Sequence, residues 1–189
     1  QHDCLAKVHE IQQQIKSIQQ IVVTPFMDSD PDLSSLKNAA LLKDFRHQDA
    51  SEVEFEQLPF NHPVYILYSS GTTGVPKCIT HGAGGTLLQL LKEHLLHIDL
   101  KREDRLFYYT TCGWMMWNWM VNGLATGTTL VLYEGSPFYP DPGAMFDLID
   151  EQQVSGFGTG AKTISAWQKA GIKPAETHSL KSLKTILST

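Results

Sequence analysis

The chain has 189 residues, a length that suits one ordinary domain, and 42% of them are hydrophobic, which is enough for a packed core. Its net charge of −5 argues against nucleic acid or an anionic membrane as the main partner. No apolar run approaches the ~20 residues that span a bilayer. The three cysteines lie far apart, so they predict neither a disulfide framework nor a metal site, and a reducing compartment is expected.

Residues 1–63 are predicted to form a lead-in of helix, strand and loop. Apolar residues spaced three and four apart predict the helix, and they are Leu5, Val8, Ile11, Ile15 and Ile18. Residues 21–23 predict a short buried strand that ends before Pro25. Residues 27–36 are loop-like, and Leu36 to Phe45 predict a weaker helix.

Residues 64–189 show strands and helices in alternation. Val64 to Tyr68 is a continuous apolar run, which is typical of a strand buried on both faces. Further strands are predicted at 77–80, 106–110, 129–133, around Phe157 and at 183–188. Helices are predicted at 86–97, 115–124, 144–152 and 161–170. The alternation predicts an α/β fold with a mainly parallel sheet flanked by helices, in which the strand at 183–188 forms an unpaired edge.

The loop after the strand at 64–68 carries the strongest functional signal. It reads Tyr68-Ser69-Ser70-Gly71-Thr72-Thr73-Gly74-Val75-Pro76-Lys77. Gly71 and Gly74 can adopt backbone angles closed to other residues, so that amide groups turn inward, while hydroxyls and Lys77 add further donors. Such a set suits a polyphosphate. It is not a Walker A loop, because Pro76 precedes Lys77 and a strand follows. Composition alone is equally compatible with a plain turn between two strands.

This loop is similar to the signature loop of the adenylate-forming superfamily, Ser/Thr-Gly-Ser/Thr-Thr-Gly-x-Pro-Lys, and every position is met. The superfamily includes acyl-CoA synthetases, luciferases and nonribosomal adenylation domains. The resemblance implies that 1–63 and 64–189 are parts of one AMP-binding domain whose C-terminal companion is absent. It also implies that the hydroxyl of Thr72 helps to hold Mg²⁺. The residues implied to hold ATP are Ser69, Ser70, Gly71, Thr72, Thr73, Gly74 and Lys77.

The segment from Trp114 to Met120 holds three Trp and three Met residues, which suits a soft pocket wall or, as the alternative, a bulky core helix. By resemblance, Gly113-Trp114 corresponds to a Gly-Trp pair of acetyl-CoA synthetases that borders the acyl group and the pantetheine tunnel. The implied pocket residues are Trp114, Met115, Met116, Gly158 and Gly160. Phe138 departs from a polar residue that contacts CoA in those enzymes, so that contact is not transferred.

The strings at 113–118 and 157–161 are most similar to acetoacetate-activating members of the family. This resemblance implies a cytosolic ligase that converts acetoacetate, ATP and CoA to acetoacetyl-CoA, AMP and pyrophosphate. The family's adenine turn, aromatic-Thr-Glu motif, ribose-binding Asp and catalytic Lys do not occur in these 189 residues. We therefore assign no catalytic residue and expect the chain alone to be inactive. The first residue is Gln1 rather than Met, and Thr189 ends an apolar run, which predicts an internal fragment.

Three weaker patterns have simpler explanations, and two other functions stay open. Residues 156–161 fit G-x-G-x-x-A, but Glu176 lies ahead of the next strand, which predicts an accidental match. His94 and His97 offer too few ligands for a metal and are predicted to lie on a solvated face. Asp28, Asp30 and Asp32 predict a turn rather than a calcium loop. A non-catalytic pseudogene or splice product, and a ligase for another short acid, stay open.

Overall fold

The structure is a computed structural model that describes residues 4–47, 52–69 and 74–189. The chain divides into two compact units, Gln1–Glu56 and Gln57–Thr189. The sequence-based boundary between residues 63 and 64, and the assignment of both parts to one domain, stay predictions. Within the described ranges, no helix is long and apolar enough to cross a membrane.

The first unit contains two helices and a two-stranded parallel sheet. Its elements are α1 (Leu5–Gln14), β1 (Ile21–Val23), β2 (Ala39–Leu41) and α2 (Leu42–Phe45). The predicted first helix is confirmed, although it ends at Gln14, and the strand at 21–23 is confirmed as a strand. The prediction that this strand is buried is wrong, since Val22 is exposed and its two neighbours are only partly buried. The predicted helix from Leu36 to Phe45 is wrong in its first half, because residues 39–41 pair with β1 and this pairing overrides a weak local propensity.

The acidic segment of the first unit forms turns, as predicted. The backbone N–H of Asp30 donates to Asp28 Oδ1 at 3.0 Å, and the N–H of Ser34 donates to Asp32 Oδ1 at 2.9 Å. Both are side-chain-to-backbone bonds two residues apart, the pattern of an Asx turn. The hydrogen bonds from Ser34 lower the pKa of Asp32. These carboxylates are thus engaged with their own backbone.

A four-stranded parallel sheet forms the centre of the second unit. Its strands are β5 (Arg105–Tyr108), β6 (Thr129–Leu130), β7 (Gly156–Thr159) and β8 (Thr185–Ser188), in the order β6-β5-β7-β8. The register sets Tyr108 beside Gly158, and Gly158 beside Leu187. The predicted α/β fold is confirmed, with β6 shorter than expected. β8 is an edge strand whose outer side has no strand partner among the described residues.

Helices cover both faces of this sheet. Their bounds are α3 (Ala83–Lys92), α4 (Met115–Asn122), α5 (Ala144–Gln152), α6 (Ala161–Lys169) and α7 (Pro174–Thr177), the last of which was not predicted. α4 packs on the face that carries Leu106 and Tyr108. α5 and α6 pack on the face that carries Phe107 and Phe157. Because successive strand residues point to opposite faces, β5 is buried on both sides, as expected for a central parallel strand.

A β-hairpin precedes the sheet in the second unit. β3 (Pro63–Tyr68) pairs antiparallel with β4 (Cys78–Gly82). The prediction that β3 is buried on both faces is wrong, since Val64, Ile66 and Tyr68 are all exposed. Tyr65 and Leu67 are partly buried and line a cavity that also contacts α3 and α4. One covered face is the usual arrangement for an antiparallel pair.

A buried carboxylate joins the amino ends of β5 and β8. Asp104 is 3% exposed, and its Oδ1 accepts from Lys184 Nζ at 2.7 Å while Oδ2 accepts from the Lys101 N–H at 2.7 Å. Burial alone would raise the pKa of Asp104, but hydrogen bonds from Lys184, Lys101 and Ser155 hold that pKa below its ordinary value. The carboxylate therefore stays ionised and ties the turn before β5 to the start of β8.

We expect Asp104→Asn to lower the free energy of unfolding at pH 7 by about 1 kcal/mol, since the exposed ammonium of Lys184 is screened by solvent. Because the folded-state pKa of Asp104 is lowered, its stabilisation is complete above the unfolded-state pKa of about 3.9 and is lost as the pH falls through the folded-state pKa. The difference in unfolding free energy between the variant and the native chain should therefore begin to shrink as the pH falls below about 4. Urea unfolding followed by tryptophan fluorescence measures this difference.

Asp99→Asn is the matched control, because Asp99 is 76% exposed and pairs with Lys101 on the surface. It should change the unfolding free energy little at any pH. A loss as large as that of Asp104→Asn, or an Asp104→Asn effect that does not depend on pH, would contradict the assignment.

Candidate active site

The parallel sheet has a topological switch point between β5 and β7. After β5 the chain passes through α4 to β6 on one side, and after β7 it passes through α6 to β8 on the other. α4 and α6 also lie on opposite faces of the sheet. The segments that leave β5 and β7 therefore diverge, and ligands of open α/β sheets bind in the crevice outside such diverging carboxyl ends.

The predicted pocket residues follow the strands that meet at this point. Trp114, Met115 and Met116 come after β5. Gly158 lies near the end of β7, and Gly160 immediately precedes α6. The N–H of Tyr109 donates to the Gly158 carbonyl at 2.8 Å, so the β5–β7 ladder continues to the edge. A side chain at Gly160 would meet nothing within 4 Å, which leaves the start of α6 open to a ligand.

Gly158 has a packing role. A Cβ at this position would lie 2.1 Å from the ring of Tyr108, its neighbour on β5. The space left by the missing side chain is therefore filled by Tyr108, whose hydroxyl lies 3.2 Å from Thr189 Oγ1. The predicted contact between Gly158 and substrate stays a prediction.

Met115 and Met116 line a cavity of about 340 Å³ at the carboxyl edge of the sheet, here called the strand-end cavity. It is bordered by the ring of Tyr108 on one side and by Leu187 to Thr189 of the edge strand on another. Its lining residues include apolar ones together with Tyr108, Ser188 and Thr189, which carry hydroxyl groups. A small acid with a polar centre suits such a lining.

The helix α4 divides the aromatic segment into an open end and a packed end. Trp114 is 66% exposed and precedes the helix with extended backbone angles, and it is not among the residues that line the strand-end cavity. Met116, Trp119 and Met120 are buried in the core beside Leu106. The alternative interpretation as a core helix thus holds for the face of α4 that packs on the sheet. Met115, at the start of α4, is half-exposed.

The phosphate loop is described only at its two ends. Ser70, Gly71, Thr72 and Thr73 lie outside the described residues. At the mouth of the loop, the Ser69 N–H donates to the Lys77 carbonyl at 3.0 Å, and the Lys77 N–H lies 3.4 Å from Ser69 Oγ. Gly74 has φ of 155°, a backbone conformation that residues with side chains rarely adopt. The loop therefore closes a hairpin, and its ATP-binding residues stay predictions.

Glu93 and His94 also contact α4, although no sequence pattern indicated this role. A π-helical turn, Glu93–His97, extends α3. Glu93 Oε2 accepts from Trp119 Nε1 at 2.9 Å, and His94 Nε2 contacts the Trp119 carbonyl at 2.9 Å. Because a carbonyl only accepts, Nε2 carries the proton. The Gly123 N–H bonds to later carbonyls of α4, so His94 satisfies a carbonyl near the end of that helix.

The expectation that His94 lies on a solvated face is wrong, while His97 is exposed as predicted. Burial lowers the pKa of His94, which keeps the ring neutral. Its Nδ1 has no hydrogen-bond partner in the part of the chain that the structure describes. The only available sequence signal was the density of Trp residues 20 to 25 positions later, which gives no pairing, so sequence reasoning could not have placed His94 against Trp119.

Comparison with known proteins finds matches in sequence and in fold. The family model described as "AMP-binding enzyme" matches residues 1–189. An acetoacetyl-CoA synthetase of Gallus gallus is 48% identical over 195 residues, covering 100% of this chain and 29% of the relative. A malonamoyl-CoA synthetase of Penicillium aethiopicum is 47% identical over 155 residues, covering 75% and 21%. The structure of acetoacetyl-CoA synthetase from Streptomyces lividans has a TM-score of 0.86 at 37% identity, covering 99% and 28%.

The chain spans less than a third of the length of these relatives. The resemblance drawn from the loop at 69–77 and from the strings at 113–118 and 157–161 is confirmed by matches that reach far beyond those motifs. With a family model matched from end to end and a fold shared with a solved member, the chain belongs to the AMP-binding enzyme family.

Proposed function

We propose that residues 1–189 are part of a longer ligase that uses ATP to join a short carboxylic acid to CoA, with acetoacetate as the acid. The observation that carries the proposal is the 48% identity to an acetoacetyl-CoA synthetase along the entire chain. The switch point between β5 and β7 supports it, because Met115 and Met116 line a cavity where such folds bind ligands. Placement in the cytosol stays a prediction.

The loop between β3 and β4 is proposed to hold the ATP phosphates. The Ser69 N–H donates to the Lys77 carbonyl, so the two ends of the loop lie side by side. Among the described residues, no group of three or more His, Cys, Asp or Glu side chains could hold a metal ion. The chain offers Mg²⁺ the hydroxyl of Thr72, beside phosphate oxygens. A magnesium ion there would offset charge on the leaving pyrophosphate.

The proposed reaction has two steps. The carboxylate oxygen of the acid attacks the α-phosphorus of ATP, forming an acyl-adenylate as the bond to pyrophosphate breaks. The CoA sulfur then attacks the acyl carbon, and AMP leaves. In this proposal the loop holds the phosphates and the strand-end cavity holds the acid. The two reactants are then oriented toward each other before reaction, which lowers the entropic part of the barrier.

The names of the relatives narrow the class of acid. Acetoacetate and malonamate both carry a carbonyl on the carbon β to the carboxylate, and they differ only in a methyl or an amino group on that carbonyl. We infer a pocket for a small acid with a β-carbonyl. Tyr108 and Thr189, whose hydroxyls lie 3.2 Å apart, are among the residues that line the strand-end cavity, and a hydroxyl donor there would recognise the carbonyl oxygen. Malonamate is therefore the second candidate substrate.

The 189 residues alone are proposed to be inactive as a ligase. The adenine, ribose and catalytic-lysine elements that the family resemblance implies are not in this sequence, and the loss of their contacts would remove transition-state binding. A longer reading frame with an aromatic-Thr-Glu motif and a late lysine would support this proposal. A natural stop codon after Thr189 would favour the alternative of a non-catalytic product.

We expect the double substitution Thr73→Val and Lys77→Ala in the full-length ligase to lower kcat/KM for ATP by at least about 10²-fold, because a hydroxyl donor and a positive charge are lost from the phosphates. The measurement is initial-rate kinetics with ATP varied. Lys169→Ala, which removes an equal charge at the end of α6, is the control and should leave kcat/KM unchanged. Unchanged turnover of the double variant would refute the loop assignment.

ATP–pyrophosphate exchange tests the acid. We expect exchange by the full-length ligase with acetoacetate or malonamate to be at least about 10-fold faster than with 3-hydroxybutyrate. The tetrahedral β carbon of 3-hydroxybutyrate points its oxygen away from the position of a planar carbonyl, so a fixed donor pairs with it less well. Residues 1–189 alone should show no exchange. Faster exchange with acetate than with either β-carbonyl acid would contradict the substrate class, and robust exchange by the isolated chain would contradict its inactivity.

A further inference from the structure

Two cavities of the second unit meet at one aromatic side chain. The strand-end cavity contains Met115 and Met116. A second cavity of about 570 Å³, the hairpin cavity, lies between the β3–β4 hairpin and helices α3 and α4. Glu93, Met115 and Trp119 line both cavities. Met115 is half-exposed at the start of α4, whereas Trp119 is 6% exposed, so the indole of Trp119 forms the buried part of the wall between them.

Several contacts hold the indole of Trp119 in place. Its Nε1 donates to Glu93 Oε2, and the Trp119 carbonyl accepts from His94 Nε2, each at 2.9 Å. The ring centroid lies 4.3 Å from that of His94 and 6.0 Å from that of Tyr108. Glu93 is held in turn, because its Oε1 accepts from Gln89 Nε2 at 2.7 Å. The indole cannot turn aside without leaving a buried donor unpaired, so the wall is rigid.

We propose that Trp119, held by Glu93 and His94, closes the inner end of the acid-binding cavity and thereby sets the largest acid that the ligase activates. The inference rests on the proposed function, in which Met115 and Met116 border the acid. A short acid fits on the near side of the indole. A longer alkyl chain would need the space that the indole occupies, and it is excluded sterically.

The far side of the wall suits an alkyl chain. Leu67, Ile79 and Leu90 are among the residues that line the hairpin cavity. Apolar surface there would bury methylene groups once the two cavities are joined. Removal of the indole should therefore join the two cavities. The relative kcat/KM for long and short acids should then change as well as the overall rate.

The test compares acetoacetate with 3-oxooctanoate, which has the same β-carbonyl and a longer tail. In the full-length ligase, Trp119→Leu should raise the ratio of kcat/KM for 3-oxooctanoate to that for acetoacetate by at least about 10-fold, as expected when a pocket gains room for several methylene groups. Trp167→Leu is the matched control. Trp167 is equally buried, at 6% exposure, but packs on the opposite face of the sheet, so its ratio should not change.

Glu93 provides a second variant pair that leaves the ring itself intact. Glu93→Leu removes the acceptor of the indole N–H and should raise the ratio by less than Trp119→Leu does. Glu93→Gln keeps an amide oxygen as acceptor and should retain the native ratio. An equal fall in kcat/KM for both acids in Trp119→Leu would show a purely structural role and overturn the inference. If that variant does not fold, an unchanged ratio in Glu93→Leu overturns it.

Failure of the inference and failure of the proposed function give different results. A native ligase that activates neither acid overturns the proposed function, and the inference with it. A native ligase that activates acetoacetate, combined with an unchanged acid ratio in the Trp119 and Glu93 variants, overturns only the role of the wall.

Discussion

The ring of Tyr108 occupies the space that a side chain at position 158 would need, and this contact between neighbouring strands places the walls of the strand-end cavity. From this position the ring meets Trp119 edge-on at 6.0 Å, and its hydroxyl reaches Thr189 of the edge strand. One side chain of β5 therefore contacts both α4, which carries the residues proposed to border the acid, and Thr189 after the edge strand β8. Overpacking such a contact costs about 1–3 kcal/mol, so packing alone requires glycine here.

The helix α4 combines a fixed end with an open one, and the order of its residues explains how. Met116, Trp119 and Met120 lie on the face that packs against β5, so they anchor the helix in the core. Trp114 and Met115 come at the amino end, where the chain has just left the sheet, and they remain exposed. If these two residues bind substrate as proposed, their place at the end of an anchored helix would keep their orientation and lower the cost of ordering the substrate.

Local pattern predicted most of the elements but not their partners. The helix at 144–152 agrees with the prediction because Met145, Phe146 and Ile149 recur at helical spacing. The run in β3 suggested burial on both faces, yet only one face is covered, since apolar composition does not say how many neighbours a strand has. His94 is a polar residue buried by a tryptophan 25 positions away. The phosphate loop and the Gly113-Trp114 pair could be recognised because each is a contiguous stretch of sequence. The place of Trp119 between two cavities depends on tertiary packing and could not be recognised in this way.

The hairpin geometry restricts how the loop could hold a triphosphate. Phosphate loops that lead into a helix use the positive end of the helix dipole and its free N–H groups. Here Lys77 is followed by β4, which pairs back onto β3, so no helix N-terminus directly follows the loop, and the β4 amides that face β3 belong to the ladder. In the proposed function, attraction for phosphate would then come from the hydroxyl residues of the loop and from the charge of Lys77. Such a site would depend mainly on side chains, whereas a Walker loop also uses the N-terminus of its helix. We therefore attribute the proposed binding of the ATP phosphates to Thr73 and Lys77 together rather than to the backbone alone.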